Sequence, residues 1–139
     1  MSTTIRPELS KKNRYWINKH RYYELKHFCL QYDIWKKKYL SLTSPMSTSS
    51  IIRFDEFDTG HGDPVCDYVV DKLFYLERMQ LIEKTAEYAD PVLSPFILKA
   101  VTKDLSFNTL KLMYDIPCGK DLYYDRYRKF FWLLNFSRK

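Results

Sequence analysis

The chain has 139 residues, enough for one compact domain of modest core. Hydrophobic residues make up 45% and aromatics 17%, which excludes wholesale disorder, and three glycines with no long β-branched runs favour helix over sheet. The net charge of +6 is unevenly placed: residues 1–42 carry +7, residues 43–105 carry −5 and residues 106–139 carry +4. Two basic ends around an acidic middle point to an anionic partner, nucleic acid before others.

At the N-terminus, Lys11, Lys12, Asn13, Arg14, Tyr15 and Trp16 mix cations with aromatics, a composition that can stack on bases or line phosphates. Lys11, Lys12 and Arg14 are therefore candidate phosphate contacts. Leu25, Phe28, Tyr32, Trp35, Tyr39 and Leu42 follow at alternating spacings of three and four. That spacing predicts one amphipathic helix over residues 19–42, or two pieces broken near Asp33, with the stripe packed on the core.

Residues 43–63 change character. Thr43 to Ser50 has the composition of a polar linker, and an acidic stretch with Gly60 and Gly62 follows, so a flexible connection is expected, with Ile51 to Phe54 pinned to the core. Asp63-Pro64 then reads as an N-cap and first helical residue. The three-or-four spacing of Cys66, Val69, Leu73, Leu76, Met79, Ile82, Ala86 and Ala89 predicts a long helix packed along that line. Ser94-Pro95 starts a short helix ending near Lys103. Ser106 caps another, which holds Leu110, Leu112 and Met113 and stops at Asp115 ahead of Pro117.

The last helix carries the functional argument. Plotted at 100° per residue, Tyr123, Tyr127, Phe130 and Leu134 fall within about 60° of one another and should face the core. The opposing flank presents Asp121, Tyr124, Asp125, Arg128, Lys129 and Trp132. A short helix, a corner at Pro117-Cys118-Gly119 and a basic helix form the order a helix-turn-helix needs to present one helix to the major groove. Lys120, Tyr124 and Arg128 are then the candidate groove contacts, and Arg126 and Lys129 the phosphate contacts. Asp121 and Asp125 lie on the same flank and are expected to pair with Arg128 or Lys129 one turn later.

The expected organisation is all-α. It comprises a basic N-terminal arm and helix (1–42), a linker (43–63), and a helical domain (64–139) ending in a helix-turn-helix over 106–135.

Residues 106–134 resemble the helix-turn-helix of sigma-factor region 4, and more closely the phage late-transcription regulators of the ArpU and RinA type. The matching features are Leu105-Ser106-Phe107, Leu110, the Ile116-Pro117 corner, and Tyr123-Tyr124 followed by Arg126, Arg128 and Lys129. About two extra residues between Ile116 and the aromatic pair, and the two aspartates, depart from that pattern. Residues 19–32 with Trp35 are also similar to small proteins encoded by prophages of Gram-positive gut bacteria. The resemblance implies sequence-specific binding of double-stranded DNA and recruitment of host RNA polymerase, in the cytoplasm of the host bacterium, without enzymatic activity or cofactor.

A rival reading makes the chain a phage-encoded protein-binding module, such as an inhibitor of a host defence nuclease or of RNA polymerase, with Trp16, Tyr124 and Trp132 as exposed anchors. In the DNA-binding reading the acidic middle helix is left free to meet a protein, RNA polymerase or a second copy of the chain in a homodimer.

No enzyme pattern competes. His20 and His27 are seven apart rather than four, a poor zinc spacing, and the acidic residues around His61 lack the rigid scaffold that metal catalysis needs. Cys29, Cys66 and Cys118 are odd in number and form no CxxC pair, which fits a reducing compartment. Cys118, at a helix start beside Lys120, has a setting that can lower a thiol pKa. The longest apolar run, Phe130 to Leu134, is too short to cross a bilayer, and no apolar stretch of signal-peptide length occurs in the first thirty residues, so a soluble intracellular protein is expected.

Overall fold

The computed structural model describes residues 12–42 and 64–138. Lys11, the linker with its Ile51–Phe54 segment, and the Asp63 cap lie outside the described residues. Among the described residues, all regular structure is helical: α1 (Lys19–Leu30), α2 (Tyr32–Ser41), α3 (Pro64–Ala89), α4 (Ser94–Lys103), α5 (Phe107–Tyr114) and α6 (Lys120–Ser137). No described helix is long and apolar enough to cross a membrane.

Local chemistry sets the helix ends. Asn18 starts α1 by accepting from the His20 N–H at 2.8 Å, and Ser106 starts α5 by accepting from the Thr109 N–H at 3.2 Å. The predicted break in the first helix falls at Gln31, whose N–H reaches the Phe28 carbonyl. Two helices end on aspartates in the left-handed region, Asp104 (φ 55°) after α4 and Asp115 (φ 51°) after α5. Asparagine and aspartate tolerate that conformation better than other residues with a β-carbon, though less well than glycine.

The chain divides into two compact units, and they are not the ones the sequence suggests. One gathers the described residues up to Tyr32 with those from Gln80 onward, and the other the described residues between Asp33 and Met79. Helix α1 is thus grouped with the C-terminal helices, whereas α2 after Tyr32 belongs to the smaller unit.

In the larger unit α1 packs against both α4 and α6, and α4 against α5. Tyr22, Leu25 and Cys29 of α1, Ile97 of α4, Leu110 of α5 and Phe130, Phe131 and Leu134 of α6 are fully buried. Burying each large apolar side chain contributes about 1.5–3 kcal/mol. The Cys29 thiol is pushed far up by this burial, which makes it an inert core residue.

In the smaller unit Trp35 is buried, and the Lys72 ammonium lies over the rings of Tyr39 and Tyr68, bonded to the Tyr68 hydroxyl at 3.0 Å. The apolar spacing of α3 is therefore only half used as expected. Met79 is buried here, as are Ile82, Ala86 and Ala89 where α3 continues into the larger unit, whereas Val69 and Leu73 are exposed.

Candidate nucleic-acid interface

Helix α5, the corner Asp115–Gly119 and helix α6 follow one another as expected. Ile116 is fully buried and pins the corner, and Lys111 Nζ reaches the Ile116 carbonyl at 3.4 Å. Gly119 caps α6 with extended backbone.

The packed side of α6 is wider than its 100° plot indicates. Besides Tyr123, Phe130 and Leu134, it includes Tyr124 and Phe131. Two neighbours account for this. Phe107 of α5 stacks on both Tyr123 (5.4 Å) and Tyr124 (6.1 Å). From α1, Tyr22 meets Phe131 edge-on at 5.1 Å, and its hydroxyl bonds that of Tyr127 at 2.8 Å. A helix covered from two directions buries more of its circumference than a single apolar stripe. Burial raises the pKa of Tyr123, Tyr124 and Tyr127 alike, so all three stay neutral at physiological pH.

Tyr124 is accordingly 9% exposed and is a packing residue, not an outward groove contact. Arg126 is withdrawn as well. Its Nε donates to Asp90 Oδ2 at 3.1 Å, and its Nη1 to the neighbouring Asp125 carboxylate. Asp90 in turn accepts from the Val92 and Leu93 N–H groups at 2.9 and 3.0 Å. Burial alone would raise the Asp90 pKa, but those two backbone bonds and the Arg126 guanidinium outweigh it and hold the carboxyl below its usual range. Arg126 therefore ties α6 to the α3–α4 junction instead of reaching a phosphate. Asp125 is engaged by Arg126, not by the Arg128 or Lys129 partners expected one turn on.

The Cys118 expectation also reverses. Partial burial raises its thiol pKa, and the nearby Asp90 charge adds to that, outweighing Lys111. The thiol at this helix start stays protonated.

The N-terminal segment that carries Lys12 and Arg14 docks on α6. Tyr15 is buried with its ring 5.4 Å from that of Trp132, and the Arg14 guanidinium lies over the Tyr15 ring at 4.7 Å. Trp132 also meets Phe136 at 4.9 Å. Arg128 and Lys129 sit one turn before Trp132 on α6. Both are half-buried, and neither has an ion pair among the described residues. The Nε of Arg128 is shielded from solvent without a hydrogen-bond acceptor. Lys12 and Lys120 are exposed, with Lys120 Nζ 6.0 Å from the Tyr124 ring.

Trp16 and Trp132, expected as exposed anchors for a protein, are both half-buried. The signal that the sequence did not disclose is Arg21. Its Nε donates to Asn135 Oδ1 at 2.8 Å, and its Nη2 to the Asn135 carbonyl and the Arg138 carbonyl. It caps the end of α6 with a cation, where the unpaired carbonyls carry negative charge.

Comparison of the chain with protein-family models, with curated proteins and with solved structures finds no match.

Proposed function

We propose that the chain is a DNA-binding transcription regulator of the phage late-transcription type, contacting duplex DNA through α6 and the N-terminal segment docked beside it. The observation that carries the reading is the Tyr15–Trp132 contact, which docks the segment bearing Arg14 on the helix that bears Arg128 and Lys129, more than a hundred residues away in sequence. Cations from both ends of the chain thus lie on packed neighbours, and Arg128 and Lys129 are not neutralised by a carboxylate among the described residues. Lys12 is exposed on the same N-terminal segment, and Lys120 supplies a charge at the start of α6, where a groove-binding helix meets base edges. The contacts are weighted toward phosphates, because Tyr124 and Arg126 are committed to the fold.

Five cations (Lys12, Arg14, Lys120, Arg128 and Lys129) imply a log–log dependence of affinity on salt with a slope of about −4 to −5. Gel retardation of genomic and random duplexes across a salt series tests this. Replacing Arg128 and Lys129 together with alanine should flatten the slope by up to about two units. No retardation by the wild-type chain at low salt, or an unaltered slope in the double variant, refutes the assignment.

A further inference from the structure

The first half of α3 has an apolar face that no described residue covers. Val69, Val70, Leu73 and Phe74 are 45%, 57%, 50% and 43% exposed, while Met79, on the other side of the same helix, is buried. Spaced by one, three and four, the four exposed residues form one continuous stripe over two turns. A contiguous apolar patch of this kind on a soluble chain marks an interaction surface, unlike single apolar residues scattered over a surface.

The charges at its ends identify the occupant. Asp67 precedes the stripe and Arg78 follows it, about 16 Å apart along the axis and on the same edge of the helix. Arg78 is held at that edge, its guanidinium 3.4 Å over the Phe74 ring and its Nη1 bonded to the Phe74 carbonyl at 3.2 Å. A two-fold axis passing near Leu73 exchanges the two ends and lays Asp67 of each copy against Arg78 of the other. That reciprocity is what an isologous interface requires, and an unrelated partner has no need of it. A parallel pairing, with its two-fold along the helices, would instead put the two Asp67–Arg78 edges on opposite sides of the interface, where neither charge meets its counterpart. We infer that the chain forms a homodimer by antiparallel packing of the first halves of its α3 helices, with Val70 and Leu73 at the centre and two Asp67–Arg78 pairs at the rim. This inference is independent of the DNA reading.

Sedimentation equilibrium on the full chain, in low and high salt, tests it. A dimer is expected, with dissociation strengthened about tenfold or more by Leu73→Glu. Leu73 is exposed within the protomer, so that variant should keep its helical circular dichroism. Asp67→Lys and Arg78→Glu should each weaken the dimer several-fold at low salt, and the two together in one chain should restore it. A wild-type chain that stays monomeric at about 100 µM, where transient interfaces still associate, overturns the proposal and leaves the face to another occupant, such as a host protein or residues 43–63 of the same chain. So does a dimer untouched by Leu73→Glu. If the combined charge reversal is as weak as either single variant, antiparallel pairing is refuted.

Discussion

Arg126 and Asp90, 36 residues apart in sequence, meet at 3.1 Å and lock α6 to the turn between α3 and α4. Asp90 uses both carboxylate oxygens, one for the Val92 and Leu93 N–H groups and the other for the guanidinium. The pair therefore couples the orientation of α6 to the start of α4.

Its pH dependence follows from the lowered Asp90 pKa. A carboxylate whose folded pKa is depressed contributes stability that is fully present above its unfolded value, near 4, and is lost as pH falls through the lower folded value. Wild-type melting temperature should drop more steeply below pH 4 than that of Asp90→Asn, which lacks the titrating group. At neutral pH, Asp90→Ala should cost about 1–3 kcal/mol, because two backbone donors and a cation lose their acceptor. Thermal melts across pH 2.5–7, a range set around the carboxylate pKa, check both statements. Equal acid sensitivity in the two proteins would count against the ion pair.

Arg128 should separate binding from stability. Its shielded Nε has no acceptor among the described residues, a configuration that costs about 1–3 kcal/mol. Arg128→Met retains an unbranched apolar stem while removing the unpaired donor, so the melting temperature should stay level or rise. DNA affinity should fall, and the salt slope should flatten by about one unit. A variant that unfolds more readily would show that Arg128 holds the fold.

The Tyr22–Tyr127 hydroxyl pair joins α1 to α6 at 2.8 Å. Tyr22→Phe should destabilise by about 1 kcal/mol or more, since it strands the Tyr127 hydroxyl in a buried site. Adding Tyr127→Phe should recover much of that loss, because removing both partners is nearly neutral. Urea unfolding of the two single variants and the double variant measures the coupling. Strict additivity would contradict the bond.

At the corner, Asp115 ends α5 with φ 51°. Asp115→Gly relieves the conformational strain and should stabilise by a few tenths to about 1 kcal/mol, whereas Asp115→Ala should destabilise. The sign difference between the two variants in a thermal melt is the test.

Helix positions were legible because caps and periodicity act locally. Ser106, Asp115 before Pro117, the Ser94-Pro95 start and Gly119 mark their helix ends within a residue or two of where the structure has them. A capping side chain bonds a backbone group two or three residues away, so sequence proximity alone decides it. The buried line Leu25, Phe28, Tyr32 and Trp35 was readable for a similar reason.

The candidate site was less legible, because a helical plot assumes that one side of a helix faces the core. Tyr124 points away from the Tyr127–Leu134 stripe by angle alone, yet Phe107 comes across from α5 and covers it. Arg126 looked like a free cation until the α3–α4 turn supplied Asp90. Val69 and Leu73 satisfied the core pattern of α3 but face outward, since periodicity shows where an apolar face lies and not whether anything covers it.

The sequence by itself determined an all-helical protein with basic ends, the helix boundaries at its capped turns, and the helix–corner–helix order near the C-terminus. Only the tertiary structure decided which cations remain available, by spending Arg21 on the end of α6 and Arg126 on Asp90, and by drawing Arg14 toward Trp132 through Tyr15. The physical reason is that caps and amphipathic periods are short-range. The partner of a long charged or aromatic side chain is chosen by segments far away in sequence, once burial has brought them within a few ångströms.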